Sequence, residues 1–512
     1  MKKVVFEGKT YETKPQETIL DTLIRGGANV PFSCRKGSCH TCMMKALDGT
    51  PDPSARKNFK SDVLERGYFL PCKSIQHTDM VISRPDPHDV FTRLFLSERV
   101  QCSPTVWKLS FESETALEWR AGQFVNLYHG EDPTIARSYS LASIAEHDYF
   151  LEFHIKVIPD GKLSNWLVNT LQPGDIVDAQ GPLGDCTYAL DDTQTPIRLI
   201  GTGTGLSPLI GVARDALLSG HQGPVALFHG AQNDSEFYLR DKLNELAEKH
   251  DNFTYTEVPH KEGSLFTDLL TQAFDEADES TQVYLAGSPL MVHKARVMAT
   301  LQGIGRAQIK ADPFEHSNSF VPNDKATLDS LEPDMELWEA LDEGKGLTAI
   351  LNDFYTRTYA DPLLSPFFHN VTKQHAIAKQ YAFLRLCITG GGQFLGLSPY
   401  NAHHWMVISD ELFDYREALF DECVRRYGLE PRLQHRWAAL HERFRPAIVK
   451  SKARGMIIDG EEIIKEGFVE EVIVVATVCD GCFEEICEGD RARLHQRTGK
   501  LYCSNCDAVD VM

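Results

Sequence analysis

The sequence predicts a multidomain chain in which five parts follow one another: a small strand-and-loop part, an all-β part, an α/β part, an all-α part and a small cysteine-rich end. Three observations predict it. The chain has 512 residues, where one domain usually takes roughly 100–200. Its hydrophobic pattern changes character twice, to strands alternating with helices near Ile197 and to helical periodicity alone near residue 334. Its 13 cysteines are bunched, four between 34 and 72 and five between 479 and 506. In a reducing compartment such clusters read as metal ligands before disulfides.

Composition excludes several classes. With 52 basic against 73 acidic side chains the net charge is −21, so the chain repels a polyanion and no nucleic-acid partner is expected. Hydrophobic residues at 42% and charged residues at 24% give the balance of ordinary globular domains. No apolar run approaches the roughly 18 residues of a membrane span, and Glu7 and Lys9 interrupt any apolar leader core. A soluble, cytoplasmic protein with no membrane partner is expected. The isolated Cys102, Cys186, Cys387 and Cys423 read as core thiols.

Residues 1–88 alternate short strand-like runs with loops. Within them Cys34, Cys39 and Cys42 follow the spacing C-x4-C-x2-C, and Cys72 comes after a gap of 29 residues. A plant-type 2Fe–2S cluster uses this spacing: a tight loop supplies three thiolates and aims backbone N–H groups at the sulfurs. Gly37 suits such a loop because it tolerates positive φ. A zinc site seldom pairs the x4 spacing with so distant a fourth ligand. The segment resembles plant-type ferredoxins, which implies a β-grasp fold.

Residues 94–190 read as all-β. Arg137-Ser138-Tyr139-Ser140 ends a strand, and Gly161-Lys162-Leu163-Ser164 precedes a helix-like run whose N-terminus offers donors to a pyrophosphate. Together these resemble the flavin barrel of the ferredoxin–NADP reductase family. That resemblance implies FAD, with Arg137, Gly161 and Ser164 at its phosphates, Tyr139 against its rings and Ser140 near its reactive nitrogen.

Residues 195–316 alternate strands and helices. Gly201-Thr202-Gly203-Thr204-Gly205 lies between a strand and a helix, the context that cradles a pyrophosphate. Tyr284 to Met291, with Gly287 at its centre, resembles the same family's second nicotinamide motif, although Ala286 stands where many members have cysteine. Asp312-Pro313-Phe314 resembles the terminal aromatic motif, which implies that Phe314 covers the flavin. Asp234 and Glu236 follow the second strand, with no basic residue before Arg240. Carboxylates repel a 2′-phosphate, so NADH is expected over NADPH. A hydride carries two electrons and a cluster takes one, and a flavin handles both. In this domain order residues 1–316 resemble the electron-transfer reductases of aromatic-ring dioxygenases.

A polar stretch with two prolines, 316–333, reads as a linker, and 334–450 as helical. Phe354-Tyr355, Phe367-Phe368, Gln380 and His403, with Ile408 and Phe413 beyond, resemble the truncated haemoglobins. Aromatic pairs are commonly plain core, but this order of residues is more specific. The resemblance implies haem b with His403 as the iron ligand, Tyr355 and Gln380 as donors to bound O₂, and Phe368 packed on the haem. His404 is the neighbour that has to be distinguished from His403. His369 and His375 read as surface residues, and Ala376 stands where many haemoglobins carry a distal histidine.

After a charged connector, Lys450–Glu471, residues 473–512 form the cysteine-rich end. Cys479-x2-Cys482 and Cys503-x2-Cys506 are separated by 20 residues, and about 40 residues cannot bury enough core to fold without a staple. The string Thr498-Gly499-Lys500-Leu501-Tyr502 resembles treble-clef and ribbon-like zinc modules. Zinc leads, a rubredoxin-type iron follows, and two redox dithiols come third; Cys487 is spare.

The expected activity is NADH-dependent reduction of the chain's own haem through FAD and the cluster, serving nitric oxide dioxygenation with O₂ and NO as small-molecule partners. This resembles flavohaemoglobins in function rather than architecture. A reductase for a separate oxygenase with a regulatory globin, and a gas sensor whose zinc module meets a protein partner, are the alternatives.

Overall fold

The structure is a computed structural model. It describes the chain apart from residues 1, 15–16, 36, 57–58, 60, 77, 261–265, 315–323, 369–370, 392–393, 395–396, 451–453, 459–460, 464–467, 474–476, 480–481, 483, 488, 496–500, 505 and 507–512. Two compact units emerge, Met1–Ser319 and Phe320–Met512.

Among the described residues the first unit contains three sheets, one for each predicted part. In the first, strand Lys3–Phe6 pairs antiparallel with Lys9–Glu12 and parallel with Met80–Ser83. Helix Ile19–Arg25 is capped by the Thr18 hydroxyl, which accepts from the Asp21 N–H, and it buries Ile19, Leu20 and Leu23. This is the expected β-grasp arrangement. The second sheet is a six-stranded antiparallel one, in the order Leu151–Lys156, Val106–Ser113, Thr92–Gln101, Ile176–Leu183, Phe124–Tyr128 and Ala136–Ser140. Period-two alternation sends Leu109, Phe111, Phe153 and Ile155 into its core. The third sheet is wholly parallel, in the order Phe253–Pro259, Val225–Ala231, Ile197–Thr202, Gln282–Gly287 and Ile309–Pro313. Its middle strands are apolar almost throughout because helices cover both faces.

In the second unit, helices Lys345–Ala360, Lys373–Thr389, Asp410–Tyr427 and Pro431–Glu442 enclose a core built around Phe354, Phe420 and Trp437. Phe354 stacks on Phe420 at 4.1 Å between ring centroids. Part of the stretch read as a linker is helical. Asp324–Asp329 is a helix, and Leu328 and Leu331 pack on the helical core. The charged connector likewise holds a hairpin, Met456–Ile458 with Glu461–Ile463. The tail's three-stranded sheet takes in Phe468–Val472, ahead of the expected start at 473. Of the isolated thiols Cys186, Cys387 and Cys423 are buried, whereas Cys102 is half-exposed. Among the described residues no helix is long and apolar enough to cross a membrane.

Candidate functional site

The cluster loop follows helix Ile19–Arg25, and Cys72 sits on the turn Pro71–Lys73 after strand Tyr68–Phe69. The loop turns through left-handed backbone at Arg35, Gly37 and His40, with φ of 56°, 90° and 54°. That path aims donors at sulfur. The Cys34 N–H donates to Cys39 Sγ at 3.4 Å, the Cys39 N–H to Cys34 Sγ at 3.3 Å, and the Thr41 hydroxyl to Cys39 Sγ at 3.3 Å. Cys39, Cys42 and Cys72 are buried. The Cys34 thiol and then burial push Cys39 well above the usual thiol range, and Cys72 and burial do the same to Cys42. Crowded sulfurs that resist ionisation alone are what a positively charged metal core relieves, so this donor set fits the cluster.

Arg137, Tyr139 and Ser140 lie on the barrel's edge strand, with Arg137 exposed, Tyr139 half-buried and Ser140 buried. Ser140 Oγ donates to Asp312 Oδ2 at 2.5 Å, and burial pushes the Asp312 carboxyl up to about 6. The sequence marked Asp312 only as the start of the Asp-Pro-Phe string, because its partner is 172 positions away. Gly161 precedes helix Lys162–Asn165, and a Cβ on it would stand 2.6 Å from Ser164 Oγ. The Phe314 N–H donates to the Gly287 carbonyl at 2.8 Å.

The glycine turn Gly203–Gly205 joins strand Ile197–Thr202 to helix Leu206–Leu218. A Cβ on Gly205 would lie 2.3 Å from the Ala286 carbonyl oxygen, and one on Gly287 2.6 Å from that of Thr202. The two nicotinamide motifs thus meet backbone to backbone at the ends of adjacent parallel strands. Thr202 Oγ1 accepts from the Ser288 N–H at 2.9 Å and stitches them together. Such a crevice is where dinucleotides bind. Arg240 is already held by Asp234 at 2.6 Å and Glu257 at 2.7 Å.

In the helical domain Tyr355 is 5% exposed, and its ring meets that of Phe368 edge-on at 5.7 Å. Burial pushes its phenol up to about 12, so it remains a donor at working pH. Gln380 lies one turn along the same helix face from buried Ala376. His403 follows the short helix Pro399–Ala402, and its Nδ1 bonds to the Pro399 carbonyl at 2.8 Å. Burial lowers its pKa to about 4. A neutral imidazole whose Nδ1–H is taken by backbone offers Nε2 to a metal. His404 makes a similar bond to Asn401 at 2.6 Å, so hydrogen bonding alone does not separate the two. The short helix is held from both sides: Asp324 accepts from the Tyr400 N–H at 2.6 Å, and Asn401 exchanges two 2.8 Å bonds with Ile457. His375 is exposed, and His369 lies outside the described residues.

At the end of the chain, the sulfurs of Cys479, Cys482, Cys503 and Cys506 lie within 4.8 Å of one another. Cys479 is 3.6 Å from Cys506, and Cys482 is 3.7 Å from Cys503. Thiolates about 2.3 Å from a tetrahedral zinc would stand about 3.8 Å apart. The set fits zinc. Cys487 is exposed and outside it. Leu501 and Tyr502 belong to the last strand, whereas Thr498, Gly499 and Lys500 lie outside the described residues.

Fold and donor sets define an NAD(P)H-dependent iron–sulfur flavoprotein joined to a haem-binding globin. Residues 4–75 match the 2Fe-2S iron-sulfur cluster binding domain, 93–188 the oxidoreductase FAD-binding domain, 199–296 the oxidoreductase NAD-binding domain, and 336–449 the bacterial-like globin. The ferredoxin–NAD(P)+ reductase component of a naphthalene 1,2-dioxygenase system from Pseudomonas putida is 29% identical over 309 residues, 58% of this chain and 93% of the relative. The reductase subunit of an aromatic O-demethylase from Amycolatopsis sp. is 31% identical over 302 residues, 56% of this chain and 90% of the relative. A solved flavohemoglobin from Malassezia yamatoensis is 19% identical, with 44% of this chain and 60% of that one covered and a TM-score of 0.38. The chain belongs to the family of NAD(P)-linked reductase components that the two enzymes represent.

Proposed function

We propose that electrons from NADH reach the chain's own haem by way of FAD and the cluster, and that the haem serves nitric oxide dioxygenation. The observation that carries this reading is the presence, in one chain, of a complete reductase and a globin. A globin that only stores oxygen needs no reductase of its own. Bound together, the four groups supply conversion of a hydride into single electrons and oxidation of nitric oxide by O₂ to nitrate.

In this reading Arg137, Gly161 and Ser164 hold the flavin phosphates, Tyr139 and Phe314 flank its rings, and Ser140 with Asp312 faces its reactive edge. Gly201, Thr202, Gly203, Gly205 and Gly287 line the nicotinamide crevice. NADH is the donor, because Asp234 and Glu257 already match the charge of Arg240. Cys34, Cys39, Cys42 and Cys72 hold the cluster and His403 the iron. Tyr355 and Gln380 donate to the iron's ligand, and Phe368 packs beside it. Clustered thiols kept for metals suit the cytoplasm, and the zinc module offers a folded surface to a protein partner.

Each nitrate formed from NO and O₂ takes up one electron, so NADH and NO should disappear in a ratio of one to two. Oxygen-electrode and NO-electrode traces on the purified holoprotein measure this. NADH oxidation that is indifferent to NO, and that needs an added oxygenase, would favour a second reading suggested by the relatives' own roles: a reductase component with a regulatory globin.

A further inference from the structure

Barrel strand Phe124–Tyr128 carries Asn126, which is 0% exposed. Directly opposite it in register stand Gln180 on one neighbouring strand and Ser138 on the other. Buried sheet positions such as those of Asn126 and Gln180 would ordinarily be apolar, because a buried amide costs free energy unless every polar atom is partnered. Here every one is partnered. Asn126 Oδ1 accepts from the Ser138 hydroxyl at 2.7 Å. Its Nδ2 donates to Gln180 Oε1 at 3.0 Å and to the carbonyl of Cys39 at 2.6 Å. Gln180 Oε1 also accepts from the Tyr128 hydroxyl at 3.0 Å, and Gln180 Nε2 donates to the carbonyl of His40 at 3.4 Å.

Two of these acceptors, Cys39 and His40, belong to the cluster loop, whereas Ser138 sits between Arg137 and Tyr139 on the flavin strand. The row therefore runs from the flavin strand to the peptide that holds a cluster ligand. An apolar contact would join the ferredoxin fold to the barrel but let the two slide. Directional bonds to two consecutive carbonyls fix the register. We propose that the Asn126–Gln180 pair is a latch that positions the cluster loop on the flavin barrel for electron transfer. In that step one electron leaves the reduced flavin and one reaches the oxidised cluster, and no bond between heavy atoms forms or breaks. Both residues are positioning residues, since neither supplies a ligand. The inference rests on the reading above only in taking the flavin-to-cluster step as part of turnover, and that step can be followed by itself.

The test is Asn126→Leu in the full-length holoprotein. It keeps the shape of the side chain and removes both donors. Stopped-flow mixing with NADH should show flavin reduction within twofold of the parent, while cluster reduction slows by about tenfold, the scale of one unmade buried hydrogen bond. Amide hydrogen exchange across residues 38–42 should quicken, while the electron paramagnetic resonance spectrum of the chemically reduced cluster keeps its g-values. Should the leucine variant fail to fold, Gln180→Met removes the His40 bond together with the acceptor of the Asn126 and Tyr128 donors, keeps the Asn126–Cys39 bond, and should show the same pattern at about twofold. Cluster reduction at the parent rate with quickened exchange would overturn the proposal and leave the pair as structural glue. Unchanged exchange would overturn it as well. Neither result touches the haem, so both remain distinct from failure of the NO-dependent activity.

Discussion

The chain holds two sets of four cysteines, and they are built differently. In the first, three ligands share a short loop, the fourth stands on a separate turn, and loop amides and the Thr41 hydroxyl bond to the sulfurs. Its carbonyls are bonded in turn to the flavin barrel. In the second, two C-x2-C knuckles bring their sulfurs within 4.8 Å of one another in a module whose buried core, among the described residues, is little more than Ile473, Ile486, Ala492 and Tyr502 beside Cys479. There the Cys479 sulfur accepts the Cys503 N–H at 3.3 Å. The first site is embedded in a domain that has its own core and is hydrogen-bonded to the neighbouring barrel. The second supplies the core that its module lacks. Four cysteines therefore do not define a role; what surrounds the sulfurs does.

The sharpest way to break this contrast is to remove one ligand from the first site. Cys42→Ser should destroy the cluster and spare the flavin. NADH should then reduce FAD within twofold of the normal rate, while reduction of ferric haem falls by orders of magnitude. Stopped-flow spectra resolve the two steps, and fast haem reduction in the variant would mean that the flavin serves the haem directly. Changing Cys479 and Cys482 to Ser should do the reverse. Metal analysis should show the loss of zinc, and proteolysis should reach residues 473–506, because a module this small folds on its metal. NADH oxidation and haem reduction should both remain unchanged. Slowed haem reduction would instead assign the tail a redox-active iron.

The parts of this design that the sequence reveals are the local ones. Cys34, Cys39 and Cys42, or Cys503 and Cys506, lie within a few residues of one another, and their spacing is itself the geometry of a ligand loop. The glycines of the nicotinamide crevice are similarly legible, because a strand–glycine–helix string forces one backbone path. The Ser140–Asp312 pair spans 172 positions and the Asn126–Cys39 bond 87. Nothing in a single sequence reports which strands neighbour each other, so an asparagine in a strand gives no sign that it faces a cluster loop. Asp324 was hidden for a different reason. Its polar, proline-bearing surroundings resemble a linker, and only the fold shows it bonded to the helix that precedes His403.

The haem pocket extends the comparison to a site where the metal itself is meant to react. His403→Ala should abolish specific haem binding while NADH-to-dye activity survives; the same loss on His404→Ala alone would transfer the ligand role to His404. Tyr355→Phe is the milder change. A hydrogen bond to a partly charged ligand contributes about 1.5–3 kcal/mol, so O₂ release should quicken by roughly 10- to 100-fold. Flash photolysis measures that rate, and an unchanged value would leave Gln380 as the donor.

The smallest effect should come from Thr41→Val, which addresses what makes the first site redox-active. Thr41 is 2% exposed, and its hydroxyl donates to Cys39 Sγ at 3.3 Å. Reduction adds negative charge to the cluster and its thiolates, so a donor at a sulfur stabilises the reduced state more than the oxidised one. Valine keeps the branched shape and removes that donor, and the potential should fall. A net hydrogen bond of about 0.5–1.5 kcal/mol corresponds to about 20–65 mV for a one-electron couple. A redox titration followed by paramagnetic resonance would resolve a shift of that size. The cluster should remain assembled, because all four thiolates are untouched. An unchanged potential would show that the hydroxyl turns away from Cys39 once the cluster is in place, leaving the backbone N–H groups of the loop to set the potential alone.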